Sequence, residues 1–294
     1  MPKARKTKRK IPVTITHAPV AAGSSNKPSA TRAVIRRFHV LKKRQAQLQK
    51  GLQYGGTSSG ARDAQVELAE IEREMAELGG LEAYQKMSSI GQGNDRGGGS
   101  EKVLVEFLAE LGYPNKLPKG EKWKVLEVGA LKPDNYSSCE AWMDVTPIDL
   151  HSRHPAIMEQ DFLKLNEDTN REQWDLISLS LVVNFVPDLK DRGTAGRLPI
   201  LAYAFLRPGK YLFLALPLPC VTNSRYMTPE HLDTLMEALA FTQLKLKWKQ
   251  GGKMAYWLFQ KSTNPQQSGR DLTAFEKKQV LRTGNDRNNF AILF

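Results

Sequence analysis

The segment WKVLEVG, residues Trp123–Gly129, is the strongest indication of the fold class in this sequence. Apolar side chains dominate this stretch without strict alternation, and a glycine ends it. A short run of this kind is typical of a parallel strand that is buried on both faces of a sheet. We therefore expect an α/β sheet that is covered by helices on both sides.

Similar strand-like segments follow, and a helix begins at the N-cap Thr228 with Pro229 in the first helical position. A Gly251-Gly252 turn between the last two strands indicates an antiparallel pair. The pattern predicts a three-layer α/β fold, mostly parallel, with a C-terminal antiparallel hairpin. In order, the predicted strands are Met143–Leu150, a weaker one near Ala156–Met158, Trp174–Val183, Lys210–Leu216, Leu244–Trp248 and Met254–Phe259.

Composition changes divide the chain into five predicted parts. They are a disordered basic arm (1–30), a helical N-terminal extension (31–88), a flexible glycine-rich linker (89–100), the α/β domain (101–264) and a C-terminal extension (265–294). Within the extension, Val34, Phe38 and Leu41 fall on one face of a basic helix. Such a helix either binds RNA or packs on the domain, and the sequence does not choose between them.

The net charge of +12 comes from the first 50 residues, the arm and the start of the helical extension, which contain 14 Lys and Arg and no acidic side chain. This arm suits a nucleic-acid partner, and residues 6–10, KTKRK, are typical of a nuclear or nucleolar targeting patch. A merely solubilising tail would have the same composition. The two cysteines are too few for a disulfide framework, and no apolar run is long enough to span a membrane. We therefore expect an intracellular protein with no membrane partner.

The end of the first strand carries the first candidate ligand-binding residues. Gly129 would let a ligand approach the backbone, and Asp149 follows 20 residues later at the end of the second strand. An acid at this spacing can accept hydrogen bonds from ribose hydroxyls, so we expect Glu127, Gly129 and Asp149 to contact a nucleoside cofactor. A plain loop glycine and a surface aspartate would produce the same pattern.

Missing glycines distinguish between the possible cofactors. Neither the Gly-x-Gly-x-x-Gly turn that receives a pyrophosphate nor a phosphate-binding loop is present. S-adenosyl-L-methionine has no phosphate and needs no such turn. The C-terminal hairpin also favours this cofactor over a dinucleotide.

Two further segments follow predicted strands. Asp161 and Phe162 could accept from the adenine amino group of the cofactor and cover its ring, or they could be a loop acid beside a core phenylalanine. Asn184, Phe185 and Pro187 could hold and stack a planar base as catalytic-site residues, or they could form an ordinary turn. His151 and His154 lack further ligands at suitable spacing, so we expect no metal.

Six blocks of the sequence together have the pattern of a known family. They are residues 125–129 (VLEVG), 148–155 (IDLHSRHP), 160–162 (QDF), 180–187 (SLVVNFVP), 216–226 (LPLPCVTNSRY) and 255–259 (AYWLF). With these blocks in this order, residues from about 100 to 262 resemble the fungal nucleolar methyltransferases that modify N1 of an adenine in 25S ribosomal RNA. The resemblance implies a Rossmann-like methyltransferase fold, S-adenosyl-L-methionine as the cofactor, a nuclear and nucleolar location, and cofactor contacts by Gly129 and Asp149.

One segment departs from this family. Between residues 194 and 204 the family has a regular apolar helix, whereas Gly196 and Pro199 disfavour a continuous helix here.

The expected function is N1 methylation of an adenine in ribosomal RNA or pre-ribosomal particles. Adenine N1 has a lone pair and needs no general base, in agreement with the absence of a catalytic dyad. One alternative is a sensor that binds S-adenosyl-L-methionine without transferring its methyl group, as animal relatives are thought to do. A ribosome-assembly factor with a degenerate pocket is the other.

Overall fold

The computed structural model describes residues 28–53, 58–91, 99–185, 193–264 and 272–294. Nearly all of the predicted arm and most of the predicted linker lie outside these ranges. None of the helices within them is both long and apolar enough to cross a membrane.

Eight α-helices, seven strands and three short 3₁₀ helices occur in the described part of the chain. The helices are α1 (Pro28–Gln53), α2 (Ser58–Glu77), α3 (Gly80–Gly91), α4 (Glu101–Glu110), α5 (Glu167–Asn170), α6 (Gly193–Phe205), α7 (Pro219–Thr222) and α8 (Pro229–Ala238). The strands are β1 (Trp123–Val128), β2 (Met143–Asp149), β3 (Met158–Glu159), β4 (Trp174–Ser180), β5 (Leu206–Pro217), β6 (Phe241–Lys247) and β7 (Met254–Lys261).

All seven strands form one sheet in the order β3-β2-β1-β4-β5-β7-β6. The pairs among β1 to β5 are parallel, whereas β7 runs antiparallel to both β5 and β6. The predicted fold class is therefore confirmed, including the C-terminal hairpin. β6 begins at Phe241, three residues before the predicted start, and β5 is longer than predicted.

Two apolar layers cover the sheet. Val125 belongs to the layer under α4, with Leu104 and Phe107, whereas its neighbour Leu126 faces the opposite layer. This alternation explains the run of apolar residues in β1, because both faces of the strand are buried.

Helix α6 corrects the expectation that residues 194–204 depart from a continuous helix. Leu198, Leu201, Ala202 and Phe205 recur at helical spacing and are all buried in the core. Burial of this stripe against the sheet outweighs the cost of Pro199, which lies inside the helix and lacks a backbone donor.

The basic helix α1 packs on the protein instead of presenting its whole surface to solvent. Phe38 and Leu41 are buried, and the guanidinium groups of Arg37 and Arg44 pair with Glu74 and Glu67 of α2. Of the two uses that the sequence left open for this helix, the structure shows packing.

The C-terminal residues dock on the α/β core. Phe290 and Ile292 are buried in the same apolar layer as α6 and α8. The Ser224 hydroxyl donates to the Phe290 carbonyl (2.6 Å), and Arg225 donates to the carbonyl of Arg287 (2.8 Å). The C-terminal tail and the segment that follows β5 therefore contribute side chains to the same apolar layer of the core.

Candidate active site

Three strands end side by side at the carboxyl edge of the sheet. Val128 of β1 pairs with Ile148 of β2 on one side and with Leu179 of β4 on the other. Gly129 follows Val128, Asp149 follows Ile148, and Ser180 follows Leu179. The fold therefore brings Gly129 and Asp149 to one edge, where ligands bind in sheets of this kind.

Gly129 has a backbone conformation that other residues rarely adopt. Its φ is +78°, and a Cβ atom would lie 3.1 Å from Cγ2 of Val182. A side chain at this position would be strained and would also fill the space above the strand ends. The glycine therefore keeps the edge open to a ligand.

Asp149 lines a cleft of about 210 Å³. One carboxylate oxygen accepts from the His151 backbone N–H (2.9 Å), and the other accepts no hydrogen bond from the described residues. Burial raises the pKa of Asp149, with His151 opposing the shift. The free oxygen is suited to accept from a ribose hydroxyl. The cleft is lined by Gln85, Ala130, Leu131, Asp149, His151, Arg153, His154 and Ile157.

Glu127 is a buried carboxylate with one unsatisfied oxygen. The Asn135 amide donates to Oε1 (2.6 Å), whereas Oε2 is buried without a partner among the described residues. Burial raises the pKa of Glu127 to about 7, although the Asn135 hydrogen bond opposes the shift. An ammonium group, such as that of the methionine part of S-adenosyl-L-methionine, would satisfy this oxygen. The residues present thus fit the cofactor.

Glu127→Gln provides a pH-dependent test of this fit. Because the folded pKa is raised above the ordinary value of 4.5, the carboxyl favours folding below about pH 4.5, and this contribution is lost as the pH rises through 7. Without ligand above about pH 8, the glutamine variant should therefore be more stable by at most about 3 kcal/mol. Thermal and urea unfolding measure this difference.

Calorimetry provides the second half of the same test. Wild-type affinity for S-adenosyl-L-methionine should fall as the pH is lowered from about 8 to 6, because the carboxyl becomes protonated around its pKa of about 7. The glutamine variant should bind more weakly, with little pH dependence from this group. Equal pH profiles for the two proteins would contradict the assignment.

Asn184 and Phe185 follow the end of β4. Leu181 turns the chain there with a φ of +60°, a strained conformation for a residue with a side chain. Oδ1 of Asn184 is buried and has no hydrogen-bond partner among the described residues. This amide oxygen can accept a hydrogen bond from an incoming base. Pro187, predicted for the same site, lies outside the described residues.

The helical extension forms one side of this site. The His39 ring of α1 lies 4.1 Å from that of Phe185, and the Tyr84 ring of α3 lies 5.3 Å from it, as measured between centroids. Burial, with a smaller effect of Lys43, lowers the pKa of His39 to about 4 and keeps its ring neutral near pH 7. The Gln85 amide donates to the His151 carbonyl (2.8 Å) at the cleft. No sequence motif indicated these three residues.

Asp161 and Phe162 have local structural roles. The Asp161 carboxylate accepts from the Leu163 backbone N–H (2.9 Å) and caps a short 3₁₀ turn. Phe162 is only 3% exposed, and its ring packs 5.7 Å from that of Phe205. Cofactor contacts by these residues stay predictions, and the burial of Phe162 leaves little of its ring surface to cover an adenine.

The histidines near the cleft have no further ligands around them. His151 and His154 are exposed, and the described residues contain no cluster of three side chains that could hold a metal ion. Cys139 is buried, Cys220 is partly buried, and both are free thiols.

The strand order with an antiparallel β7, and a ligand cleft at the carboxyl edge, define the class as a Rossmann-like methyltransferase fold. Within this class, a family model described as 25S rRNA (adenine(2142)-N(1))-methyltransferase, Bmt2, matches residues 69–292. The chain belongs to this Bmt2 family.

Two curated relatives agree with the family match. The 25S rRNA (adenine(2142)-N(1))-methyltransferase of Saccharomyces cerevisiae is 34% identical over 229 residues, which covers 76% of this chain and 63% of the relative. The 25S rRNA adenine-N(1) methyltransferase of Schizosaccharomyces pombe is 33% identical over 226 residues, which covers 76% and 79%. The chain thus spans less than two thirds of the length of the first relative.

Among solved structures, an S-adenosylmethionine-dependent methyltransferase from Clostridium acetobutylicum has a TM-score of 0.44 and 13% identity. The similarity covers 61% of this chain and 99% of that chain. The fold class rests on the strand order and not on this distant similarity.

Proposed function

We propose that the protein uses S-adenosyl-L-methionine to methylate N1 of an adenine in 25S ribosomal RNA. The observation that carries the proposal is the family match over residues 69–292, since it includes the whole sheet and every described residue of the cleft. The names of both relatives specify this reaction.

When bound, S-adenosyl-L-methionine would supply an electrophilic methyl group, and the N1 lone pair would form the new C–N bond as the C–S electron pair stays with sulfur. Glu127 and Asp149 would hold the two ends of the cofactor, and Gly129 leaves room for it beside the strands. Because N1 loses no proton in this step, the chain needs to orient and stabilise the base rather than deprotonate it.

Asn184 is suited to that task. Its Oδ1, which has no partner among the described residues, can accept a hydrogen bond from the exocyclic N6 amine on the Watson–Crick edge. Methylation places a positive charge on the adenine ring, so a fixed acceptor at N6 stabilises the product-like transition state more than the neutral base. The base must be unpaired or flipped out of its helix to reach this position.

The substrate is ribosomal RNA or a pre-ribosomal particle, and the location is the nucleus and nucleolus. The basic N-terminal segment supports both parts of this proposal, since it combines the KTKRK patch with charge suited to phosphate contacts.

Transfer of tritium from the labelled methyl group of S-adenosyl-L-methionine tests the proposal. We expect the full chain to label 25S RNA or pre-ribosomes from a strain that lacks the modification, with 1-methyladenosine as the product. Labelling should be absent with fully modified RNA. Tight cofactor binding without turnover on any of these substrates would overturn the enzyme proposal and support a sensor.

A further inference from the structure

A basic turn connects β6 and β7. Residues 248–253, WKQGGK, form it, and we call them the basic hairpin turn. Trp248 is 43% exposed, and Lys249 and Lys253 are also exposed. The chain contains no acidic residue between positions 238 and 270. The net charge suggested that the basic residues lie mainly near the N-terminus. This turn is a second basic segment, close to the C-terminal end of the sheet.

The basic hairpin turn lies at the same edge of the sheet as the candidate active site. Pro217 at the end of β5 pairs with Met254 at the start of β7, and the Leu218 N–H donates to the Lys253 carbonyl (2.7 Å). β6 is the third strand from β4 in the sheet. With neighbouring strands about 4.8 Å apart, the turn between β7 and β6 lies laterally about 10–15 Å from β4, the strand that ends near Asn184.

The lysines of the hairpin stem form ion pairs, whereas those of the turn form none with the described residues. Within the stem, Lys245 pairs with Glu110 (2.7 Å) and Lys247 pairs with Glu106 (2.6 Å), both on α4. Lys249 and Lys253 form no ion pair with any described residue. Two lysines without an ion pair to the described residues and one exposed indole therefore belong to the same turn, at the edge of the sheet where the substrate would enter.

We propose that the basic hairpin turn binds the RNA strand that flanks the target adenine. Trp248 would stack on an unpaired base, and Lys249 and Lys253 would contact phosphates. Exposed aromatic rings next to lysines are the usual means of holding single-stranded RNA, because every base can stack and every linkage is charged. The lateral spacing of about 10–15 Å between the turn and β4 corresponds to a few nucleotides along a strand. This inference rests on the proposed function, which supplies the RNA substrate.

Fluorescence anisotropy with a labelled oligoadenylate of about 16 nucleotides tests the turn directly. The full-length variant Lys249→Gln/Lys253→Gln should lower the log–log salt slope of binding by about 1.4, which corresponds to two lost phosphate contacts. Trp248→Ala should weaken binding about 5- to 150-fold. Both variants should raise KM for RNA more than they lower kcat and should leave cofactor affinity unchanged.

The matched control is Lys119→Gln/Lys122→Gln, which removes two exposed lysines just before β1, at the opposite edge of the sheet. The salt slope should hardly change in this variant. If the control and the turn variants lose the same slope, or if neither turn variant differs from wild type, the inference is wrong.

The outcomes also separate this inference from the proposed function. If RNA binding depends on the turn but the protein transfers no methyl group, the inference about the turn is supported and the enzyme proposal is overturned. If the turn variants transfer the methyl group as wild type does, the enzyme proposal is supported and the inference about the turn is overturned. A wild-type protein that binds no RNA and transfers no methyl group overturns both.

Discussion

Asp149→Ala is expected to weaken the binding of S-adenosyl-L-methionine about 10- to 150-fold while the domain stays folded. The carboxylate lines the cleft, and one of its oxygens is available to a ribose hydroxyl. Loss of a charged acceptor costs about 1.5–3 kcal/mol, which corresponds to this range of affinity. Titration calorimetry on the purified full chain measures it.

Two variants control this measurement. Asp149→Asn keeps an oxygen for the His151 N–H, so it separates the loss of charge from a change in the turn. Asp144→Ala removes an exposed acid from the same strand and should bind the cofactor as wild type does. Unchanged affinity in a folded Asp149→Ala protein would show that the cofactor lies elsewhere.

Asn184→Ala is expected to reduce the rate of methyl transfer on the order of 100-fold with little change in cofactor affinity. The buried Oδ1 is the acceptor that we assign to adenine N6, and its loss both misorients the base and removes stabilisation of the positive charge. Single-turnover transfer of the tritiated methyl group to 25S RNA, with calorimetry for the cofactor, gives the two values.

Asn184→Asp tests the role of the oxygen itself. This variant keeps the acceptor, so it should retain more activity than the alanine variant. Full activity of Asn184→Ala would show that the base lies elsewhere. Phe185→Ala is less informative, because its ring contacts His39 and Tyr84 and its loss would also loosen the helical extension.

The sheet could be predicted from the sequence because its strands carry their own signal. β1 and β4 are apolar on both faces, and the two-glycine turn indicates the antiparallel pair. Local propensity was misleading at α6, where burial of an apolar stripe overrides Pro199. The Phe162 ring packs against Phe205 in the core, a contact that the sequence did not indicate, and its cofactor contact stays a prediction.

Only part of the candidate site could be predicted. Gly129 and Asp149 are recognisable because strand ends and their spacing are local features of the sequence. His39, Tyr84 and Gln85 reach the site through the docking of α1 and α3, which brings together residues far apart in the chain. Periodicity indicated an apolar face on α1 but not the surface that it contacts, so the sequence left the role of the basic helix open.

The contacts of the α/β domain with its N- and C-terminal flanking segments limit where the protein can be truncated. A fragment of residues 101–264 would contain the whole sheet, but it would lose the rings that cover Phe185 and the Phe290 and Ile292 side chains that fill one apolar layer. The newly exposed apolar surface would favour aggregation. The Rossmann-like domain therefore cannot be exchanged on its own between proteins. A chimaera that contains it needs both flanking segments from the same parent protein.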